Sequence, residues 1–143
     1  MYYYKKNNQL ITSIIPLQGL TSVTLSDEDA KYFVGFDTMG KPIIDKNKFA
    51  EIEKQNRVNE INTEFDRQCN KVGVYFEGNK FQYDDTSRSR LSETKDDERV
   101  TFWRSVDNKN IPLSNVKKNL LYAILKETYY TEFEKKSKAI DKL

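Results

Sequence analysis

The hydrophobic pattern changes period three times along the chain. In residues 1–45 it comes in short bursts. Tyr2 to Lys5 and Leu10 to Ile15 read as two strands around the turn pair Asn7-Asn8, and Pro16 ends the second. Val23-Thr24-Leu25 leads to Ser26, an N-cap followed by Asp27, Glu28 and Asp29, whose charges suit the positive end of a helix dipole. Ala30, Tyr32, Phe33 and Val34 supply that short helix with apolar surface. Met39-Gly40-Lys41-Pro42 then turns the chain into a short strand at Ile43-Ile44.

From residue 46 to about 70 there is neither proline nor glycine, and Glu, Lys, Gln and Arg dominate, which predicts one long helix. Its apolar residues fall on two faces. Phe49 and Ile52 share one; Val58, Ile61, Phe65 and Cys69 share another, nearly opposite at about 100° per residue. One helix packing on two bodies explains the pattern: the N-terminal module near Phe49, and either the C-terminal module or a neighbouring copy along Val58 to Cys69. Cys69 completes the second stripe and reads as a small buried hydrophobe.

After Gly73 the period becomes alternating. Val74, Tyr75 and Phe76 lead through a turn at Gly78-Asn79 to Phe81 and Tyr83, a hairpin. Asp84, Asp85 or Thr86 caps a short helix through Arg88, Arg90 and Leu91. Thr101–Val106 and Ile111–Leu113 form a second hairpin around Asp107-Asn108-Lys109-Asn110, and Ser114 caps a final helix from residue 115 to about 141. Val116, Leu120, Leu121, Ile124 and Leu125 read as ordinary core; Tyr129, Phe133, Ile140 and Leu143 form a later seam with Lys136 in the remaining heptad position. The expected fold class is α+β. It has a small β-rich module over 1–45, a connecting helix over 46–71, and a module over 72–143 of short β-hairpins packed on a long C-terminal helix.

Composition narrows the chemistry. The 143 residues carry 24 basic and 22 acidic side chains, too even a balance to draw nucleic acid or anionic lipid, so neither is expected as a partner. The lysines of the last helix alternate with glutamates and read as a solvated face. Histidine is absent and Cys69 is the one cysteine, which removes the commonest general base, an internal disulfide and a cysteine zinc site. The five glycines never take phosphate-loop spacing. Asp27-Glu28-Asp29 reads as a helix start and Asp96-Asp97-Glu98 as a solvated loop rather than as cation sites. No cofactor, metal or catalytic residue is therefore expected. No apolar run reaches the roughly 20 residues of a membrane span, and Met1-Tyr2-Tyr3-Tyr4-Lys5-Lys6 lacks the order of a signal peptide, pointing to synthesis in a reducing cytoplasm.

Trp103 alternates with Phe102 and Arg104, so it faces away from them. It reads as core under the final helix or, alternatively, as an aromatic anchor in a protein interface. Tyr75-Phe76-Glu77-Gly78-Asn79-Lys80-Phe81, Asp84-Asp85-Thr86-Ser87-Arg88-Ser89-Arg90-Leu91, Phe102-Trp103-Arg104, Asp107-Asn108-Lys109 and Ile111-Pro112-Leu113-Ser114 occur in this order before the final helix. Together they resemble a small domain family of bacteriophage tail and tail-fibre-associated proteins. Tyr2-Tyr3-Tyr4-Lys5 and Val23-Thr24-Leu25-Ser26-Asp27-Glu28 are similar to the N-termini of tail fibre assembly proteins. The charged stretch from Ser92 to Arg99 departs from the longer apolar helix of that family.

The resemblance implies a non-enzymatic tail protein located in the virion. It would be a minor component or adaptor between tail and tail fibre, or else a fibre assembly chaperone absent from the finished particle. Its partners would be other tail or tail-fibre proteins, or further copies of itself. The residues expected to make such contacts are Val58, Ile61, Phe65, Trp103, Tyr129, Phe133, Ile140 and Leu143.

Overall fold

The structure, a computed structural model, describes residues 1–143. It forms two compact units, Met1–Asn56 and Arg57–Leu143. The division falls inside one unbroken helix, Lys46–Arg67.

In the first unit, strand β1 (Tyr2–Lys6) pairs antiparallel with β2 (Gln9–Ser13) on one edge and β3 (Thr21–Ser22) on the other. Asn7 and Asn8 take φ values of 50° and 61°, the left-handed pair that a two-residue hairpin turn requires. Being central, β1 buries both Tyr3 and Tyr4, which point to opposite faces. Each hydroxyl finds a partner: Tyr3 donates to Asp27 Oδ1 at 2.6 Å, and Tyr4 accepts from the Leu17 N–H at 2.8 Å. The Tyr3 bond holds the Asp27 carboxyl below its usual range. Strand β2 stops at Ser13, earlier than its β-branched run suggests. The Ser13 hydroxyl accepts from the Ile15 N–H, and Ile14 and Ile15 are left in solvent.

Ser26 caps α1 (Asp27–Ala30), its hydroxyl accepting from the Asp29 N–H, but the helix ends after one turn. Phe33 and Val34 are not helical. They lie in β4 (Phe33–Phe36), antiparallel to β5 (Pro42–Ile44). The run Tyr32-Phe33-Val34 is aromatic and β-branched, and an available partner strand decides in favour of a ladder. Asp45 starts α2 (Lys46–Arg67) by accepting from the Lys48 N–H, and Phe49 meets Tyr32 edge to face at 5.8 Å.

In the second unit, α2 passes into a π-helical turn over Gln68–Val72 that places Cys69 in the core. Gly73, at φ 69°, brings the chain sharply into β6 (Val74–Phe76) and β7 (Asn79–Phe81). The hairpin turn falls one residue earlier than expected, on Glu77 (φ 50°) and Gly78 (φ 82°), with Asn79 in the strand. The register explains the shift. Pairing Val74 with Phe81 and Phe76 with Asn79 puts Val74, Phe76 and Phe81 on one face, and a one-residue slip would turn Phe81 to the other.

Asp84 caps α3 (Asp85–Thr94) by accepting from the Ser87 N–H, and Leu91 is its one buried residue. Strands β8 (Phe102–Arg104) and β9 (Asn110–Pro112) form the second hairpin, with Asn108 at φ 63° in the loop. Ser114 caps α4 (Asn115–Asp141) through the Lys117 N–H. One cluster unites all these pieces: Cys69, Phe76, Phe81, Tyr83, Leu91, Leu113, Leu121 and Leu125. Burial of each such aliphatic side chain contributes about 1.5–3 kcal/mol.

Not every apolar residue of α4 joins the core. Val116 is 72% exposed and Leu120 54% exposed. The inward face is set by Lys118, Leu121 and Leu125, at spacings that keep one side of a helix together. Val116 and Leu120 lie roughly 160° from Lys118 at about 100° per residue. The architecture is α+β: four small sheets, of two or three strands, and two long helices. None of its helices is long and apolar enough to cross a membrane.

Candidate functional site

Three of the residues expected to make contacts form a single aromatic cluster within the second unit. The Phe65 ring stands edge-on to Tyr129 at 5.6 Å and to Phe133 at 6.2 Å, while Tyr129 and Phe133, four residues apart on α4, stack at 5.9 Å. Two cations cover this cluster. The Arg88 guanidinium lies 3.5 Å from the Tyr129 ring centre, and Lys136 Nζ sits 4.4 Å from that of Phe65 and 5.0 Å from that of Phe133. Burial pushes the Tyr129 hydroxyl pKa upward. The second stripe of α2 thus meets the C-terminal module of its own chain at Phe65.

Beside the cluster runs a shallow groove of about 340 Å³, with Ile61, Phe65 and Ala139 on its floor and Glu64, Glu132 and Lys136 at its rim. Arg67 grips Glu64 through two hydrogen bonds and holds that carboxyl at about 2. Val58 is half-buried one turn before Ile61; Ile140 is half-buried and Leu143 exposed at the end of α4. Phe133 is partly open as well.

A second cluster was not anticipated, because its central residue is a lysine. Lys118 is fully buried, and its ammonium donates to three backbone carbonyls: Thr94 at 3.0 Å, Asp97 at 2.8 Å and Val100 at 2.6 Å. Thr94 ends α3, so the charge sits where the helix dipole is negative and carbonyls lack intrahelical partners. The expectation of a wholly solvated lysine face fails at this position, because the loop between α3 and β8 needs a donor there. Asn115 and Asn119 extend the clamp, donating to the Asp96 carbonyl and to Asp96 Oδ1. Asn119 and Lys95 lower the Asp96 carboxyl, and Arg99 holds Asp97 at about 2 through its side chain and its N–H. The two adjacent carboxylates therefore serve separate partners within a fastened loop. The available signal was a lysine in register with Leu121 and Leu125.

Trp103 lies apart from the aromatic cluster, half-buried against the hydrophobic core from the second hairpin. It lines the groove of about 650 Å³ between α3 and β8. Three guanidinium groups border this groove: Arg90, Arg99 and Arg104. Arg99 is paired with Asp97 at 2.9 Å, whereas Arg104 donates to the neutral side-chain oxygens of Asn108 (2.8 Å) and Asn110 (3.3 Å). Arg88, also on α3, turns away from this groove onto Tyr129, Asp85 and the Tyr83 carbonyl. Phe102 is 48% exposed at the mouth.

The chain matches no family model, no curated protein and no solved structure.

Proposed function

We propose that this protein is a bacteriophage tail-associated structural protein, a minor virion component or adaptor linking tail and tail fibre through protein–protein contacts. One observation carries the reading. The landmarks of the resemblance, from Tyr75 to Ser114, fold with the final helix around a single core, and an unbroken helix leads from that unit into a second compact unit. A chain with two folded units on one helix has separate surfaces to offer two neighbours. On this reading the protein works without catalysis or cofactor. It is made in the host cytoplasm, resides in the virion tail, and binds other tail or tail-fibre proteins or further copies of itself. It engages neither nucleic acid nor membrane.

Mass spectrometry of purified particles tests the proposal. The adaptor reading expects the chain at a fixed ratio to the tail-tip proteins, and its absence from intact virions sinks it. A specific observation favours the alternative of a fibre assembly chaperone that leaves the particle. Val116 and Leu120 on α4, and Ile14 and Ile15 after β2, are apolar side chains held in solvent, as transient cover for an unassembled partner requires. For the chaperone, the same spectra show no chain in virions while co-expression raises the yield of trimeric fibre.

A further inference from the structure

Strand β8 has one neighbour, β9, so its other edge is unpaired along Phe102–Arg104. Just beyond the strand, on that same side, the Val106 N–H donates to the Lys80 carbonyl at 2.8 Å and bounds the free stretch. The ladder shows which backbone groups lie there. The Thr101 carbonyl accepts from the Leu113 N–H at 2.9 Å, and the Ser105 N–H donates to the Lys109 carbonyl at 2.8 Å. In an antiparallel pair, alternate residues turn their N–H and C=O toward the partner. Thr101, Trp103 and Ser105 therefore face β9, and Phe102 and Arg104 turn their N–H and C=O groups the other way. Pro112 fits this phase: it lies opposite Phe102, a position where β9 needs no N–H.

That free edge fronts the large groove. Phe102, Trp103, Arg104, Ser105 and Val106 line it consecutively. A strand presenting one face would line a cavity with every second residue, so an unbroken run means that the edge itself forms the wall. The opposite wall is one face of α3, carrying Ser87, Arg90 and Thr94. Its volume, about 650 Å³, lies in the range of ligand clefts.

The charges around it do not cancel. Glu93 is the one carboxylate in the lining, against Arg90, Arg99 and Arg104. Arg104 is held only by asparagine oxygens, and no ion pair or hydrogen bond engages the Arg90 guanidinium. Guanidinium groups in this state are disposed to take carboxylates bidentately.

We infer that the free edge of β8 is a docking site for an extended acidic segment of a partner protein, which adds as a third strand between β8 and α3. The segment's backbone bonds to Phe102 and Arg104, its carboxylates meet Arg90 and Arg104, and an apolar side chain rests on Trp103. Strand addition of this kind draws affinity from main-chain bonds and specificity from alternate side-chain pockets. The inference rests on the reading of the chain as a protein-binding component, and it assigns the partner segment a chemistry.

The test titrates the full chain, labelled with nitrogen-15, with three fluorescent probes. One is an eight-residue peptide alternating valine or threonine with aspartate or glutamate. The second replaces its acids with lysine, and the third is an eight-nucleotide oligo-dT. The acidic peptide should bind saturably, with the largest shifts at the Phe102 and Arg104 amides and the Trp103 indole. The lysine peptide should not bind. Arg90→Glu with Arg104→Glu, both at exposed positions, should weaken binding at least tenfold. Phe102→Pro removes an N–H that β9 does not use and should weaken it similarly while the far-ultraviolet circular dichroism is kept.

The inference is overturned by no saturable binding, by equal binding of the two peptides, or by shifts centred away from β8. Binding unchanged by the arginine substitutions also overturns it. If Phe102→Pro keeps its fold and full affinity, strand addition is excluded. If oligo-dT binds the groove more tightly than the acidic peptide, the site serves a nucleic-acid strand instead. Particle mass spectrometry reads the adaptor role and the titration reads the groove, so either can fail while the other stands.

Discussion

The Nζ of Lys118 lies 2.6 Å from the carbonyl oxygen of Val100, and two further carbonyls complete its hydrogen bonding. A buried ammonium with all three protons engaged is stable where one lacking partners is not. Here it ties the first turns of α4 to the end of α3 and to the loop before β8. Lys118→Met keeps most of the side-chain length but leaves three carbonyls without that donor, so it should lower unfolding stability by about 3 kcal/mol. Lys118→Arg should not restore it, because a planar fork does not reach three converging oxygens. Urea denaturation of both variants decides, and a loss below about 0.5 kcal/mol for the methionine variant would sink this account.

Gly73 and Gly78 both have positive φ, yet their substitutions should differ. A Cβ on Gly73 would stand 2.6 Å from the Phe81 carbonyl oxygen and 2.9 Å from a Val106 methyl, whereas one on Gly78 meets nothing within 4 Å. Gly78→Ala should therefore cost only the conformational penalty, about 1 kcal/mol. Gly73→Ala should cost about 3 kcal/mol, strain and displaced backbone together. Equal midpoint shifts in parallel thermal melts would contradict the close approach.

Burial raises the Cys69 thiol to about 11 and the Tyr83 hydroxyl to about 12. Both groups are favoured in their neutral forms by folding, so their contribution is fully present below the pKa of the unfolded chain and fades as pH rises toward the folded value. For Cys69 that window opens near the ordinary thiol value of about 8.5 and closes near 11. Stability should fall across this window by about 3 kcal/mol on account of Cys69. Urea midpoints at pH 7 and pH 10.5 measure the fall, and Cys69→Ala should make it shallower. At pH 7 the native thiol should also resist a thiol-directed reagent until denaturant is added.

Phe65 and Val116 make opposite predictions. Phe65 packs on Tyr129 and Phe133, so Phe65→Asp buries a carboxylate among aromatics and should destabilise the second unit by about 3 kcal/mol. Val116 is 72% exposed, so Val116→Asp should change stability by less than about 0.5 kcal/mol. If Phe65→Asp melts like the parent chain, the aromatic cluster is a surface patch and its assignment to the interior is wrong.

These contrasts show which parts of the structure the sequence made legible. Ser26, Asp84 and Ser114 cap helices through bonds three residues away, and Asn7-Asn8 turns a hairpin through its own backbone angles. Local chemistry decides such features, and they were readable, Asp84 as one of three candidate caps with Asp85 and Thr86. The sides of α4 were not. Val116, Leu120 and Leu121 are alike as residues, and their burial depends on where Cys69, Phe81 and Leu91 sit, segments far away in the chain. Lys118 was hidden for the same reason, since its carbonyl partners exist only once the loop closes over it. Phe33 went to a strand because Ile44 was there to pair with it. Among the candidate contact residues, the stripes carrying Phe65 and Tyr129 were each visible. The stripe on α2 fitted a neighbouring copy as well as the C-terminal module, and only the folded chain brings the two rings together. The groove beside Trp103 depends on the edge of β8 facing α3, which no local pattern encodes.

The buried cluster joins Cys69 to Leu125, so its earliest and latest members are separated by most of the second unit. While the chain is being synthesised, the two hairpins and α3 emerge before the helix that covers them and supplies Lys118. Until then Phe81, Tyr83 and Leu91 have no lid, and a ribosome stalled near Ser114 would hold an open, adhesive intermediate. Completion of the unit is thus coupled to synthesis of the first half of α4, through Leu125. A premature stop before Leu121 would yield a chain bound for aggregation or proteolysis rather than a shortened working protein.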